Sequence, residues 1–522
     1  MSAEVTLLFN DGFQVLQAWF RERRLLAGWL AVMACWASWW LWRFILTPRI
    51  FPLEVKEYRY WIPRHGISFM NNSQKLFREA REHFHNSNEP LQLILFGTRV
   101  YFISRVEDVS EAYRNTRTLT VDEFYQRIFL GMGTSKESVT HIFAPPSALH
   151  KNPENRLGKP VAQLARELQM AQLQPSPGLD ALERAELDYL ERHMQPDAVL
   201  ASRHRYMDLL GGETPGRTAS VELSLWNWCA DLHVRAAQKA FFGDALDRLD
   251  PELPHKFLEF DDLGWKLLYQ FPTFLARDAM EKRDCIRAIL KAFYDLPREK
   301  RDEAAGWVLS STEDELRAIG IPSEDIASVV LILYWGPSLI EPIRAETAAA
   351  FGPEGTITDL KHLHGHCHHL DAAWNETLRL TSVAASVRTV TADTVIGGRM
   401  LRAGHRLIIP YRQLHLDTGV FGHDVTAFRP DRFLNNKPKT GKRVRRGEYF
   451  RPFGGGSTIC PGRFFTKRVV VIFVALLLRR FDISMAGGSQ SLPQADEWRP
   501  VLGIADIKPG DDMRIRLTPR RL

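Results

Sequence analysis

At 522 residues, with 45% hydrophobic and 25% charged residues, the chain has the composition of a globular protein able to bury a large core, which excludes a wholly disordered or fibrous one. Its net charge of +6 is modest for the length and no basic face interleaved with aromatics is visible, so nucleic acid is not expected as a partner; membrane or acidic partners fit better. The five cysteines (Cys35, Cys229, Cys285, Cys367, Cys460) are scattered and never form a C-x-x-C pair, which argues against a disulfide framework or zinc module and for reduced, cytosolic thiols.

The first element is an uncharged run over residues 25–42, bounded by Arg21, Arg23 and Arg24 before it and Arg43 after it, and long enough to span a bilayer. Trp29, Trp36, Trp39, Trp40 and Trp42 gather toward its C-terminal end, where a helix leaves hydrocarbon for the headgroups. A cleaved signal peptide is the alternative; the late start, the tryptophans and the lack of an A-x-A site weigh against it. The expected organisation is an N-terminal segment 1–24, a transmembrane anchor 25–46, a connector 47–63 stiffened by Pro48, Pro52 and Pro63, and one large domain over 64–522, since no Pro/Gly/Ser-rich linker divides the rest. Arginines at both ends of the run leave its orientation open.

Along the domain, residues 91–103 read as two short strands turning at Gly97-Thr98. Apolar residues at helical spacing then predict helices over 226–242, 257–269, 281–294, 323–350 and 370–380, and residues 387–410 return to short strands broken at Gly397-Gly398 and Ala403-Gly404. The fold class is mainly α with small β-sheets.

The segment Phe453-Gly-Gly-Gly-Ser-Thr-Ile-Cys460-Pro-Gly-Arg463, followed by an apolar run over 469–478, carries the chemistry. Three glycines permit close backbone approach to a flat ligand and a tight loop presenting one thiolate to a metal, and a cysteine opening a helix gains from the positive end of its dipole. A buried structural cysteine after a glycine turn is the bland alternative. Phe453, Gly456, Cys460 and Gly462 match F-x-x-G-x-x-x-C-x-G, and the chain thereby resembles the cytochrome P450 family. The resemblance implies the P450 fold and haem b (iron protoporphyrin IX) with the Cys460 thiolate as axial iron ligand, whose electron donation favours O–O cleavage.

Further matches follow in the family's order. Glu376-Thr-Leu-Arg379 resembles its E-x-x-R helix, a pair that taken alone would read as a surface salt bridge, and Phe428-Arg-Pro-Asp-Arg432-Phe433 resembles its F-x-P-x-R-F segment, so Glu376, Arg379 and Arg432 are expected to form a triad beneath the haem. By the same resemblance Arg388 would pair with a haem propionate and His415 fills a position often held by histidine; ordinary polar surface residues are the alternative for both. Ala240-Phe-Phe-Gly243 ends a helix as in many members.

One departure is plain. Most oxygen-activating members carry an acid followed by threonine midway along the helix over the haem, whereas this chain reads Gly336-Pro337-Ser338-Leu-Ile-Glu341-Pro342, whose prolines must kink the helix. Ser338 and Glu341 are the candidates for distal proton delivery, with simple packing or solvent exposure as the alternative, and Leu333, Trp335, Leu339 and Ile340 would shape an apolar pocket. A similar proline and the triple glycine occur in the branch with sterol 7-hydroxylases and prostacyclin synthase, while the general look of the chain is similar to filamentous-fungal biosynthetic members.

The resemblance implies a membrane-bound monooxygenase that hydroxylates a lipophilic terpenoid, steroid or polyketide intermediate of secondary metabolism. It would use O2 and electrons from NADPH-cytochrome P450 reductase, and sit in the endoplasmic reticulum with the catalytic domain facing the cytosol. An isomerase or lyase of the same fold acting on a peroxide without external electrons, and a non-catalytic haem sensor, are the rivals. Two weaker signals remain. The histidines 362, 364, 366, 368 and 369 with Cys367 look like a metal cluster but read better as a solvated loop, and the basic run Lys437, Lys439, Lys442, Arg443, Arg445, Arg446 could steer an acidic redox partner or be merely solvated.

Overall fold

The structure is a computed structural model that describes residues 24–60, 65–145, 158–202, 204–210, 219–301, 304, 306–331, 344–434, 446–486, 493–496 and 503–520. Helix α1 (Arg24–Leu41) continues through a π-helical turn at Trp42–Leu46 and a short helix Thr47–Ile50, so the helical backbone runs four residues past the expected end of the anchor at 46. Leu26–Ile50 is long and apolar enough to cross a membrane, the one such helix among the described residues. Its end is pinned to the domain: Arg43 donates to both oxygens of Glu57 at 3.0 and 2.9 Å, Trp40 Nε1 donates to Tyr60 O at 3.1 Å, and Phe44 is buried against Trp39, Trp40 and Tyr60.

Strand β1 (Lys56–Glu57) leads to helix α2 (His65–His83) and the hairpin β2 (Leu91–Leu95) and β3 (Thr98–Phe102). The hairpin turns on Phe96-Gly97, both at positive φ (49° and 80°), one residue earlier than the sequence pattern predicts; Thr98 already opens the return strand. Helix α3 (Val106–Arg114), strand β4 (Leu119–Thr120) and helix α4 (Asp122–Gly131) follow, then α5 (Val161–Leu173) and α6 (Pro177–His193). A second hairpin, β5 (Met207–Leu210) with β6 (Ser220–Ser224), precedes α7 (Leu225–Phe242), which ends at Gly243 with φ 68°. Helices α8 (Leu253–Leu268), α9 (Arg277–Asp295), α10 (Trp307–Ala318) and α11 (Ser323–Leu331) make the helical half of the molecule.

Its apolar layer joins Phe257, Phe260, Ile286, Phe293, Val308, Ile326 and Val330. The predicted long helix over 323–350 is described as helix over Ser323–Leu331 and again at Arg344–Thr347, followed by a 3-10 turn Ala348–Ala350, and Ser338, Glu341 and the two prolines lie outside the described residues.

The remaining elements build the site. Helices α12 (Leu360–Gly365) and α13 (His368–Thr381) precede strands β7 (Ala385–Val390), β8 (Thr394–Ile396), β9 (Arg399–Leu401) and β10 (Arg406–Pro410), a short helix α14 (Tyr411–His415), the long helix α15 (Arg463–Arg480) and strands β11 (Phe481–Met485) and β12 (Arg514–Pro519). The main sheet has the order β1-β2-β3-β10-β7-β4, with β10 parallel to β3 and antiparallel to β7; a second sheet runs β11-β12-β6-β5, and β8 pairs with β9. Helix α15 is apolar on every face from Val469 to Leu478, and all ten of those residues are buried. A helix with no polar side can only lie in the middle of a core, and α15 packs there against Trp228, Trp374 and Leu190.

Candidate active site

The chain preceding α15 doubles back on itself. Gly454 N donates to Arg451 O at 3.1 Å and Cys460 N donates to Phe453 O at 2.9 Å, which closes a narrow loop with the cysteine at its end. Gly454 and Gly456 have φ of 80° and 60°, the left-handed region that L side chains resist. At Gly456 space forbids a side chain as well, because a Cβ there would stand 2.7 Å from Tyr113 Cδ1. Gly456→Ala is therefore expected to destabilise the protein by about 2 kcal/mol or more, read as a lowered denaturant midpoint.

Beyond the loop, Gly462 leads into α15, and the amides of Gly462 and Arg463 reach the Cys460 sulfur. Burial pushes the Cys460 thiol up, while those amides and the positive charges of Arg463 and Arg166 pull it down. Donors aimed at a half-buried sulfur suit a thiolate that has a positive centre on its other side.

Glu376 and Arg379 lie one turn apart on α13, both 0% exposed, so the surface-pair reading does not apply. Arg379 Nε and Nη2 donate to the two Glu376 oxygens at 2.8 and 2.7 Å, and its Nη1 donates to the carbonyls of Val425 at 2.7 Å and His415 at 3.1 Å. Arg432 Nε donates to Glu376 Oε1 at 3.3 Å, where the Arg429 amide also arrives at 2.9 Å, and Arg432 extends to Phe421 O and the Asp424 carbonyl. One buried carboxylate thus gathers two guanidiniums and fixes the irregular stretch from His415 to Arg432 that leads toward the cysteine loop.

His415, fully buried, accepts the Arg451 amide at Nε2 (2.9 Å), so the residue that holds the triad through its carbonyl also holds the first residue of the loop through its ring. Burial, with the charges of Arg379 and Arg412, lowers its pKa from 6.5 to about 3, which keeps the ring neutral and able to accept. Between those two values the unfolded chain binds a proton that the folded one does not. The stability His415 contributes is present above pH 6.5 and is lost as pH falls toward 3. Stability measured across that window should fall less steeply in His415→Gln than in the wild type.

Arg388 sits on β7, 5% exposed, where its Nη2 donates to Thr458 Oγ1 at 2.7 Å and its Nη1 to Val387 O at 3.3 Å. Among the described residues no carboxylate pairs with it; the groups that act on its charge are the burial itself, Tyr113, Tyr411, Tyr125 and a second cation, Arg166. Arg166, on α5, donates from Nη2 to Ile459 O at 2.9 Å. Two guanidiniums drawn together beside the loop with no protein carboxylate between them make a place for an anionic group. The sequence reading missed Arg166, because a single arginine on an amphipathic helix has no local signal and comes to the cysteine only through the tertiary fold.

The histidine-rich stretch is helical rather than the loop expected of it, although His366, His368 and His369 are exposed to solvent as expected. His362 and His364 lie on α12, and His368 and His369 open α13. His364 Nε2 pairs with Glu183, which also accepts from Arg468 Nη1 at 2.8 Å, and His369 pairs with Glu346. No group of three metal-ligating side chains stands together among the described residues. A cleft of about 460 Å³ between α8 and α9, lined by His255, Lys256, Glu259, Lys282 and Cys285 among others, is charged and shares no residue with the cysteine loop. The basic run lies outside the described residues up to Arg445.

With that geometry in view, the comparisons with known proteins agree. The cytochrome P450 family model matches residues 323–509. A cytochrome P450 monooxygenase, poxD, of Penicillium oxalicum is 24% identical over 490 residues, covering 88% of this chain and 93% of that protein. The 7-alpha-hydroxycholest-4-en-3-one 12-alpha-hydroxylase of Oryctolagus cuniculus is 32% identical over 389 residues, covering 65% of this chain and 72% of its own length. In fold, a retinoic acid bound cyanobacterial CYP120A1 superposes with a TM-score of 0.60 at 18% identity, over 90% of this chain and all (100%) of that one. The loop closed on Cys460, the buried Glu376–Arg379–Arg432 triad and these relatives lead to one conclusion: the chain belongs to the cytochrome P450 family and is a haem-thiolate monooxygenase.

Proposed function

We propose that the protein is a membrane-anchored monooxygenase that holds haem b through Cys460 and hydroxylates a lipophilic intermediate of secondary metabolism. The observation that carries this reading is the Phe453–Cys460 closure, with the amides of Gly462 and Arg463 on the sulfur and two guanidiniums beside the loop that pair with no carboxylate among the described residues. The residues present fit the group. A thiolate at the end of a glycine-rich loop suits an iron ligand, and the cations of Arg388 and Arg166 suit the propionates. When bound, the haem supplies activation of dioxygen.

Each side chain then has a defined task. Cys460 donates charge while its amide neighbours temper it. Arg388 and Arg166 neutralise carboxylates that would otherwise be buried without a partner. Glu376, Arg379 and Arg432 keep the loop's approach rigid, and His415 ties that scaffold to Arg451. In sequence, Ser338 and Glu341 remain the candidates to move protons on the far side.

The substrate class, a terpenoid, steroid or polyketide, is supported by the fungal and sterol-hydroxylase names among the relatives. The helix Leu26–Ile50 supports a membrane anchor, and the family resemblance supports an endoplasmic reticulum location with the domain toward the cytosol, where NADPH-cytochrome P450 reductase delivers electrons. Turnover in microsomes is expected to stop when NADPH or reductase is left out. Continued product formation from a peroxide under that omission would instead favour an isomerase, the reading suggested by the missing acid/threonine pair.

A further inference from the structure

We propose that Tyr113 is a positioning residue that locks the Arg388 guanidinium and the cysteine loop into one rigid unit at the propionate end of the haem, an inference that rests on the haem reading above. Tyr113 comes from α3, more than 270 residues before Arg388, yet its ring meets two cations: the Arg388 guanidinium carbon is 5.4 Å from its centroid and that of Arg451 is 5.3 Å away. Its hydroxyl is 2.5 Å from that of Tyr411, the first residue of α14. The ring is thus held at its hydroxyl and met by two guanidiniums.

The glycine run in the loop is shaped to this ring. Gly455 has an extended backbone, with φ −171°, that any residue could adopt, and the P450 signature leaves its position open. Space explains it: a Cβ at Gly455 would stand 2.6 Å from Arg451 Nη1 and 3.1 Å from Tyr113 Cε2. The same glycine is gripped from its other side, since Thr458 Oγ1 donates to Gly455 O at 3.1 Å while accepting from Arg388. Arg388, Thr458, Gly455, Tyr113 and Arg451 therefore form a closed circuit, and Arg451 passes it on to His415 and the triad. Without the ring, Arg388 keeps, among the described residues, its bond to Thr458 and the weak one to Val387, and its cation is free to leave the place where a propionate would need it.

The test is the rate of haem release from the full-length protein to excess apomyoglobin, for wild type, Tyr113→Phe, Tyr113→Leu and Gly455→Ala, each also in an Arg388→Lys background. Tyr113→Phe keeps the ring and should stay within about twofold of wild type, whereas Tyr113→Leu and Gly455→Ala should each release haem about tenfold faster. If Tyr113 acts through Arg388, those increments should shrink to within about twofold in the Arg388→Lys background, which a merely structural role would not produce. Wild-type release rates in Gly455→Ala, or undiminished increments in the Arg388→Lys background, would overturn the proposal, and Gly455→Ala decides it even if Tyr113→Leu does not accumulate. A wild-type protein that takes up no haem would sink the site reading itself, a result distinguishable from either.

Discussion

Glu376→Ala should leave the protein unable to accumulate as folded holoenzyme. The carboxylate is 0% exposed and is the common partner of Arg379 and Arg432, with the Arg429 amide as a third donor. Its removal strands the wholly buried Arg379 guanidinium, while Arg432 keeps the Asp424 carboxylate at 2.9 Å, and breaking a buried pair from one side costs about 3–5 kcal/mol. The whole folding margin of a domain is only about 5–15 kcal/mol, so one substitution removes a large part of it. Arg379→Ala should be of similar size, because it leaves Glu376 buried and frees the carbonyls of Val425 and His415. Yield of soluble folded protein and the thermal midpoint in detergent are the measurements; a Glu376→Ala variant melting within a few degrees of wild type would show that the triad is not what holds the loop.

Cys460→Ser is the opposite kind of lesion, silent in the fold and decisive in the chemistry. The loop closes through the backbone of Cys460, which serine keeps, and the hydroxyl is smaller than the thiol, so packing against α15 should survive. What goes is the thiolate: a serine hydroxyl is too weak an acid to be ionised by two amides and two guanidiniums, and its electron donation is poorer. Hydroxylation should fall by at least a thousandfold, about 4 kcal/mol of barrier, with the circular-dichroism spectrum and thermal midpoint of the protein little changed.

Local pattern went furthest where a residue's role is local. The cysteine loop, the Glu376–Arg379 spacing and the apolar run of α15 are contiguous in sequence; the run is legible from hydropathy alone, while the loop and the pair gain their meaning from the family resemblance. The hairpin at residues 91–102 was legible too, but its turn was placed one residue late because Phe96 takes a positive φ that its bulk disfavours; exposure at the tip leaves the ring 70% accessible and free of clashes. Partnerships across the chain were not legible. Whether Glu376 and Arg379 are at the surface or in the core depends on Arg432 and on the carbonyls around Val425, and the burial that decides it comes from tertiary packing. Arg166 and Tyr113 reach the site from the first third of the chain with no motif to mark them. The histidine stretch misled in the other direction: its composition suggested a wet loop, while the carboxylates of Glu183 and Glu346, from distant segments, give His364 and His369 fixed partners.

The most direct measurement is the carbon monoxide difference spectrum of the dithionite-reduced protein in membranes, wild type beside Cys460→Ser. The structure predicts a strongly red-shifted Soret band in the wild type that disappears in the variant while the protein stays folded. The absence of that band in folded, haem-replete wild type, or its persistence in Cys460→Ser, would contradict the assignment of Cys460 as the haem ligand.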